Sequence, residues 1–283
     1  MQLLITGGNG QLGKSLELQL KNHCNFQASF IDIEDLDLTD KEAVDSYFRN
    51  HSCDILINCA AYTAVDKAET EPEIAKAVNA GVVRNIADAA KRNNFKVIHL
   101  STDYVFDGNS VKAYTEEDIT NPQSVYGKTK LEGEKILREL LPESSLIIRT
   151  AWLYSQFGKN FYLTMKNKAI ENEKVKVVDD QKGTPTNAND LACTILKIAG
   201  SDEWKPGVYH FSNLGSTTWY DFTREIYRLH GADPDLVNRI KTSELNSLAK
   251  RPKCSLLDKT KIMEAYHLNI PHWKDSLRQM KPE

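Results

Sequence analysis

Long apolar runs are missing from this chain. No stretch approaches the ~20 apolar residues that a helical membrane span requires, which argues against a membrane partner. No basic segment, apolar segment and small-residue cleavage site precede the strand-like residues Met1 to Thr6, so a secretory leader is not expected. Cysteine is sparse. Cys24, Cys53, Cys59, Cys193 and Cys254 are scattered, odd in number and without a Cys-x-x-Cys pair. Free thiols in a reducing cytoplasm are the expectation. His23, His51, His99, His210, His230, His267 and His272 show no metal-binding spacing, and His99 reads as packed within a strand. Charge of one sign is not in excess either. A formal net charge of −3 gives no electrostatic basis for binding nucleic acid or an anionic membrane. There is no internal repeat, low-complexity tract or linker.

What is present is an alternating pattern. At 283 residues the chain is long for one core and short for two independent domains. Apolar segments at Gln2–Thr6, Ala28–Ile33, Asp54–Asn58, Lys96–Ser101 and Leu146–Arg149 read as strands. Between them lie helical patterns: Gln11–Asn22 with Leu12, Leu16 and Leu20 at helical spacing, then a helix ending near Asn50. Thr39 followed by Glu42 reads as a capping box opening that second helix. Pro72 suits a first helical turn, with helix continuing to Asn93, and Ser124–Leu140 follows the fourth strand. This alternation predicts an α/β fold, a doubly wound parallel sheet whose ligands sit past the carboxyl ends of the strands. After Arg149 the pattern loosens. Helices are expected at Asn160–Glu171, Ala188–Ala199 and Thr218–His230, and strands at Val175–Val178 and Val208–Ser212. Residues 1–150 then form a dinucleotide-binding domain. Residues 151–283 form mainly a smaller substrate lobe, with some segments returning to the first domain.

The turn Gly7-Gly8-Asn9-Gly10-Gln11-Leu12-Gly13 joins the first strand to the first helix. Glycines there let backbone approach a pyrophosphate, and the helix N-terminus supplies free N–H groups and a favourable dipole. A plain tight turn would need one glycine rather than four. Asp32 ends the second strand, where a carboxylate can bind ribose hydroxyls and repel a 2′-phosphate. It reads equally well as a solvated acid beside Glu34, Asp35 and Asp37. Ala60, Ala61, Tyr62 and Thr63 follow the third strand, where small residues allow a close pass by the dinucleotide.

Ser101-Thr102-Asp103-Tyr104 follows the fourth strand, and Tyr126 and Lys130 lie four apart on the next helix. Reduction of a ketone makes an alkoxide that must receive a proton. A nearby ammonium lowers a phenol's pKa towards the working pH, and Thr102 can donate to the oxyanion. Tyr-x-x-x-Lys alone is common on helix surfaces. Its order after the glycine turn and Ser-Thr gives it meaning.

With those residues in place, the chain resembles the extended short-chain dehydrogenases, and within them the dTDP-4-dehydrorhamnose reductases. The resemblance covers nearly the whole chain. It is carried by Ala61 to Glu69, Ser101 to Gly108 (STDYVFDG), Val125 to Lys130, Arg149 to Tyr154, Asp180 to Thr186 (DQKGTPT), Thr217 to Asp221 (TTWYD), Arg251-Pro252 and Leu257-Asp258. It implies an enzyme of dTDP-L-rhamnose synthesis that uses NADPH or NADH on a nucleotide-sugar substrate. Gly7, Gly10, Gln11, Leu12 and Gly13 would hold pyrophosphate. Asp32, Asp37, Leu38, Ala60, Ala61, Tyr62 and Thr63 would line the path of the rest of the cofactor. Tyr126 would be the proton donor beside Lys130 and Thr102. Asp103 and Trp152 would contact the deoxysugar, and Asn160 and Arg251 the diphosphate. Trp152 reads also as a core aromatic of the small lobe, and Arg251 as a surface charge.

Some members of the family dimerise around Mg²⁺ held by glutamates. This chain has Ser15 and Asn189 at those positions, so no metal and a monomer are expected. The related sugar 4,6-dehydratases need Glu after Thr-Asp, where this chain has Tyr104. Another nucleotide-sugar reductase or an epimerase remains an alternative. So does a dinucleotide-binding regulatory subunit like that of methionine adenosyltransferase.

Overall fold

Short apolar segments buried on both faces become strands of one parallel sheet. They are β1 (Gln2–Thr6), β2 (Gln27–Ile31), β3 (Ile55–Asn58), β4 (Lys96–Thr102) and β5 (Ser145–Thr150). The structure is a computed structural model that describes residues 1–21 and 24–280. Neighbouring strands pair in parallel: Thr6 lies beside both Ile31 and Asn58, Asn58 beside His99, and Thr102 beside Thr150. The connecting helices are α1 (Gln11–Leu20), α2 (Lys41–Asn50), α3 (Val65–Ala68), α4 (Pro72–Lys76), α5 (Val82–Asn93) and α6 (Val125–Leu140).

The second half adds short strands β6 (Leu153–Tyr154), β7 (Val175–Val178), β8 (Lys182–Gly183) and β9 (Thr186–Asn187), with helices α7 (Phe161–Ile170) and α8 (Ala188–Ala199). Then come β10 (Gly207–Phe211), β11 (Thr217–Thr218), α9 (Trp219–Leu229), β12 (Val237–Ile240), α10 (Thr260–Tyr266) and α11 (Trp273–Arg278). β10 returns to the main sheet beside β5, completing the order β10-β5-β4-β3-β1-β2.

Alternation along each strand divides the core. Leu3, Ile5, Ile55 and Ile57 pack with α1 and α8; Leu4 and Leu56 pack with α2, α5 and α6. Leu12 and Leu16, four apart on α1, bury against this first layer, and each stabilises the fold by roughly 1.5–3 kcal/mol. A separate aromatic core built on Tyr154, Tyr162, Phe222 and Tyr227 fills the small lobe.

Some boundaries differ from those read in the sequence. The first helix ends at Leu20, and Asn22 lies outside the described residues, as does His23. The second helix is capped by Asp40, not Thr39. The Asp40 carboxylate accepts the N–H groups of Glu42 and Ala43, while the Thr39 hydroxyl turns back to Asp37. The helix expected over Pro72–Asn93 is interrupted by a π-turn at Ala77–Gly81. That extra residue carries Asn79 into the interior, where it bonds the Tyr62 backbone and the Thr129 hydroxyl.

Candidate active site

The carboxyl ends of the strands open on two adjoining cavities of about 430 and 540 Å³. Gly7, Gly10, Cys59 and Ala61 line both, so they form one cleft. Its narrower end reaches Asp32, Asp37, Leu38 and Ala60. Its wider end reaches Gln11, Leu12, Thr63, Thr102, Asp103, Tyr126, Lys130, Trp152 and Asn160.

The glycine turn is built for close approach. Gly7 has φ +64°, and a Cβ there would sit 2.8 Å from the Ala60 nitrogen. Gly13 serves packing instead: its Cβ would meet the Gly7 carbonyl at 2.5 Å, and it does not line the cleft. Gly10, the N-cap of α1, has no side chain to cap the first turn, so those N–H groups remain open to an anion. Asp32 accepts the Asn9 N–H at 2.8 Å and the Ile33 N–H at 2.9 Å, tying β2 to the turn. Asp37 accepts the Thr39 hydroxyl at 2.7 Å and the Thr39 N–H, which hold its carboxyl below the usual range. Tyr62 stands apart from the cleft walls. Its phenol donates to Glu71 at 2.7 Å, its N–H is taken by Asn79, and it lines neither cavity.

α6 begins where the Ser124 hydroxyl accepts the Gly127 N–H at 3.1 Å. That start brings Tyr126 and Lys130 to the cleft together. Lys130 is buried. Its Nζ donates to the Leu100 carbonyl at 2.6 Å and lies 3.4 Å from His99 Nε2. His99 is held in turn by Asn58 at 3.0 Å, and Asn58 accepts the Thr6 hydroxyl at 2.7 Å. Burial lowers the Lys130 ammonium to about 8, opposed by Glu134 and by Cys59. Burial and Lys130 keep the His99 imidazole neutral. Neither Asn58 nor His99 was given a role at the site from the sequence, which read His99 only as packed within a strand; Asn58 ends β3, and His99 lies in the middle of β4.

The expected lowering of Tyr126 by Lys130 is not found. Burial pushes the phenol up, Asp103 and Tyr104 add to the rise, and only a hydrogen bond with Thr102 opposes it. The Lys130 ammonium is committed to a carbonyl, so desolvation governs the phenol. Tyr126 is therefore held protonated, the form a proton donor requires. The Thr102 hydroxyl donates to Asp103 Oδ1 at 3.0 Å and accepts the Tyr104 N–H at 3.2 Å. Asp103 is 4% exposed, and its Oδ2 has no partner among the described residues. Burial raises its carboxyl to about 7, against hydrogen bonds from Thr102 and Ser255.

Trp152 lines the cleft on a left-handed backbone, φ +49°. Its indole stacks on Trp219 with centroids 3.7 Å apart and planes 13° apart. Phe161 leans on Trp219 at 4.4 Å. Trp152 is thus both a cleft wall and part of an aromatic stack, and Trp219 entered the sequence reading only within the TTWYD stretch, with no role given to it. Asn160 is chiefly a helix cap. Its Oδ1 accepts the Leu163 N–H, and its Nδ2 donates to the Ser155 and Phe157 carbonyls. This leaves it one acceptor lone pair and no donor, a poor match for a diphosphate. Arg251 is paired with Asp66 at 2.6 Å and does not line either cavity. The cation that does line the wider end, besides Lys130, is exposed Lys159. Ser15 is fully buried and Asn189 bonds Gln156. Among the described residues no group of three or more His, Cys, Asp or Glu is placed to hold a metal ion.

Comparison with known proteins gives one consistent result. The chain matches, over residues 1–283, a family model described as the RmlD substrate binding domain. It is 40% identical to a dTDP-4-dehydrorhamnose reductase of Aggregatibacter actinomycetemcomitans, over 99% of this chain and 98% of that one. A solved dTDP-4-dehydrorhamnose reductase of Clostridium acetobutylicum superposes with TM-score 0.93 at 44% identity, covering 99% and 98% of the two chains. One from Bacillus anthracis, in complex with NADP, gives 0.94 at 35% identity over 99% and 98%.

Proposed function

This chain belongs to the family of the RmlD substrate binding domain, and from that premise we propose that it reduces the C4 ketone of dTDP-4-dehydro-L-rhamnose to dTDP-L-rhamnose. The observation that carries the reading is the single cleft running from the glycine turn to Tyr126, Thr102 and Trp152. NADH or NADPH bound along that cleft would supply the hydride. Gly7, Gly10 and the open first turn of α1 hold the pyrophosphate, and Asp32 faces the adenosine ribose. Lys130 would orient the nicotinamide ribose through an ammonium proton other than the one it donates to Leu100. Tyr126 gives its proton to the ketone oxygen, and burial excludes competing water. Trp152 offers its indole to the apolar face of the sugar. Lys159, rather than Arg251, is the cation at the mouth for the substrate's diphosphate. Residues 1–150 bind the dinucleotide and most of 151–283 the sugar nucleotide. No helix among the described residues is long and apolar enough to cross a membrane, and we assign the protein to the cytoplasm as a monomer.

The test is oxidation of NADH and of NADPH, followed by the loss of reduced-nicotinamide absorbance, with dTDP-4-dehydro-L-rhamnose as oxidant. Asp32 and Asp37 line the adenosine end, and no lysine or arginine does so among the described residues. The cofactor without a 2′-phosphate is therefore expected to give the larger kcat/KM. Tight NADH binding with no turnover would instead favour a dinucleotide-binding regulatory subunit.

A further inference from the structure

Trp152 adopts the left-handed backbone, φ +49°, which bulky residues rarely enter. Among the described residues, the other non-glycine residues of positive φ each close a helix. Asn94 ends α5, His267 ends α10, and Asn172 follows the last turn of α7. Trp152 closes none; it follows β5 and lines the cleft. A strained residue persists only where its surroundings over-determine it. Here the small lobe supplies the constraints. The Trp152 carbonyl accepts the Thr186 N–H at 3.1 Å. Trp219 covers one face of the indole, with centroids 3.7 Å apart. Gly183 lies so close that an added Cβ would sit 2.6 Å from both Cε2 and Cζ2 of the ring. We propose that Trp219 and Gly183 are positioning residues for the sugar: acting through Trp152, they fix the indole before substrate arrives and so set the affinity of the cleft for the sugar nucleotide.

The two residues are delivered together. β8 (Lys182–Gly183) pairs antiparallel with β11 (Thr217–Thr218), and Trp219 is the next residue, opening α9. The Thr218 hydroxyl fixes that start by accepting the Asp221 N–H at 3.1 Å. Phe161 backs Trp219 at 4.4 Å, so the stack does not end on solvent. Neither Trp219 nor Gly183 lines the cleft, and each therefore acts through Trp152. Their demands differ. Position 219 needs a flat ring, because the two indole planes lie only 13° apart. Position 183 needs the absence of a Cβ, because the indole it would strike is pinned by the stack and cannot swing aside. An indole released from either constraint must be ordered when substrate binds. That ordering weakens affinity roughly 2- to 10-fold for one side chain.

The inference rests on the ketone reduction proposed above, and one arm of its test needs no turnover. Two stacked indoles give a paired (exciton) signal in circular dichroism. Trp204 lies by Lys96, and Trp273 by Phe222 and His272, so that signal belongs to Trp152 and Trp219. Gly183→Ala keeps both indoles yet is expected to weaken the signal, because the new Cβ displaces Trp152. In steady-state kinetics, Trp219→Leu and Gly183→Ala are expected to raise KM for dTDP-4-dehydro-L-rhamnose roughly 2- to 10-fold. The rise in KM exceeds the fall in kcat, and the dissociation constant for NADH stays that of the unaltered protein. Trp219→Phe retains a flat ring and is expected to keep most of the affinity. Equal KM values for Trp219→Leu and Trp219→Phe, or a loss that falls alike on kcat and on NADH binding, overturn the proposal. So does an undiminished paired signal in Gly183→Ala. Should the variants not fold, the unaltered protein decides: a pair held in advance keeps its signal when dTDP-L-rhamnose binds, and a signal abolished by that ligand overturns the proposal. Absence of any NADH oxidation by the unaltered protein overturns the reduction, while the signal of Gly183→Ala still shows whether Trp152 is held.

Discussion

Tyr126 and Asp103 are two acids of the cleft that burial shifts in the same direction. Burial pushes both up, because it penalises the charged form of each. For the phenol this secures the protonated form, which the proposed donor requires. Tyr126→Phe is therefore expected to lower kcat by about 10²–10⁴-fold with little change in the dissociation constant for NADH, measured by fluorescence titration. A near-normal kcat would remove Tyr126 from the chemistry. For Asp103 the rise has a cost in stability. Its folded-state pKa of about 7 exceeds the ordinary 3.8, so its contribution is fully present below 3.8 and is lost as pH climbs to about 7. The loss above that point is bounded by roughly 4 kcal/mol, three units at about 1.4 each. Asp103→Asn should therefore match the unaltered protein in melting temperature near pH 4 and exceed it at pH 8. Equal melting at both pH values would mean that the buried carboxyl is not desolvated as described.

At the scale of elements, helix α6 carries Tyr126 and Lys130, and a buried ion pair fixes it to the sheet. Glu134, one turn beyond Lys130, accepts the Ser101 hydroxyl of β4 at 2.5 Å and both Nε and Nη2 of Arg149 on β5, at 2.9 and 2.7 Å. Both side chains are almost wholly buried, 1% and 3% exposed. Removing one partner strands the other's charge, so Arg149→Met alone should cost about 3–5 kcal/mol by urea unfolding. The double variant Glu134→Leu, Arg149→Met should recover most of that loss. If the double variant is as unstable as the sum of its parts, the pair is not coupled. The same elements show what the chain alone reveals. The glycine turn, the alternating strands and the Tyr126–Lys130 spacing are legible because each depends on local periodicity. The π-turn that buries Asn79 is not, since one extra residue leaves helical composition unchanged. Nor is the pairing of Arg251 with Asp66, 185 residues away. Two-residue strands such as β8 and β9 carry no period to read.

At the scale of the whole molecule, the second half of the chain closes the first. β10 covers the edge of β5, and α8 lays Leu191, Ile195 and Leu196 into the core cluster that holds Leu12 and Leu16 of α1. The α1–α8 contact is thus an internal seam, with little left for a second copy. Ser15 is wholly buried, its hydroxyl without a partner among the described residues, and the Asn189 Oδ1 is buried likewise. A divalent cation bridging two copies needs exposed, preferably charged oxygens, and neither position supplies one. Light scattering on the size-exclusion peak is expected to give the 32.0 kDa mass of one chain in Mg²⁺ and in EDTA alike. A doubled mass in Mg²⁺ that EDTA reverses would show that other side chains recruit the ion, and that the seam between α1 and α8 opens a surface this packing does not offer.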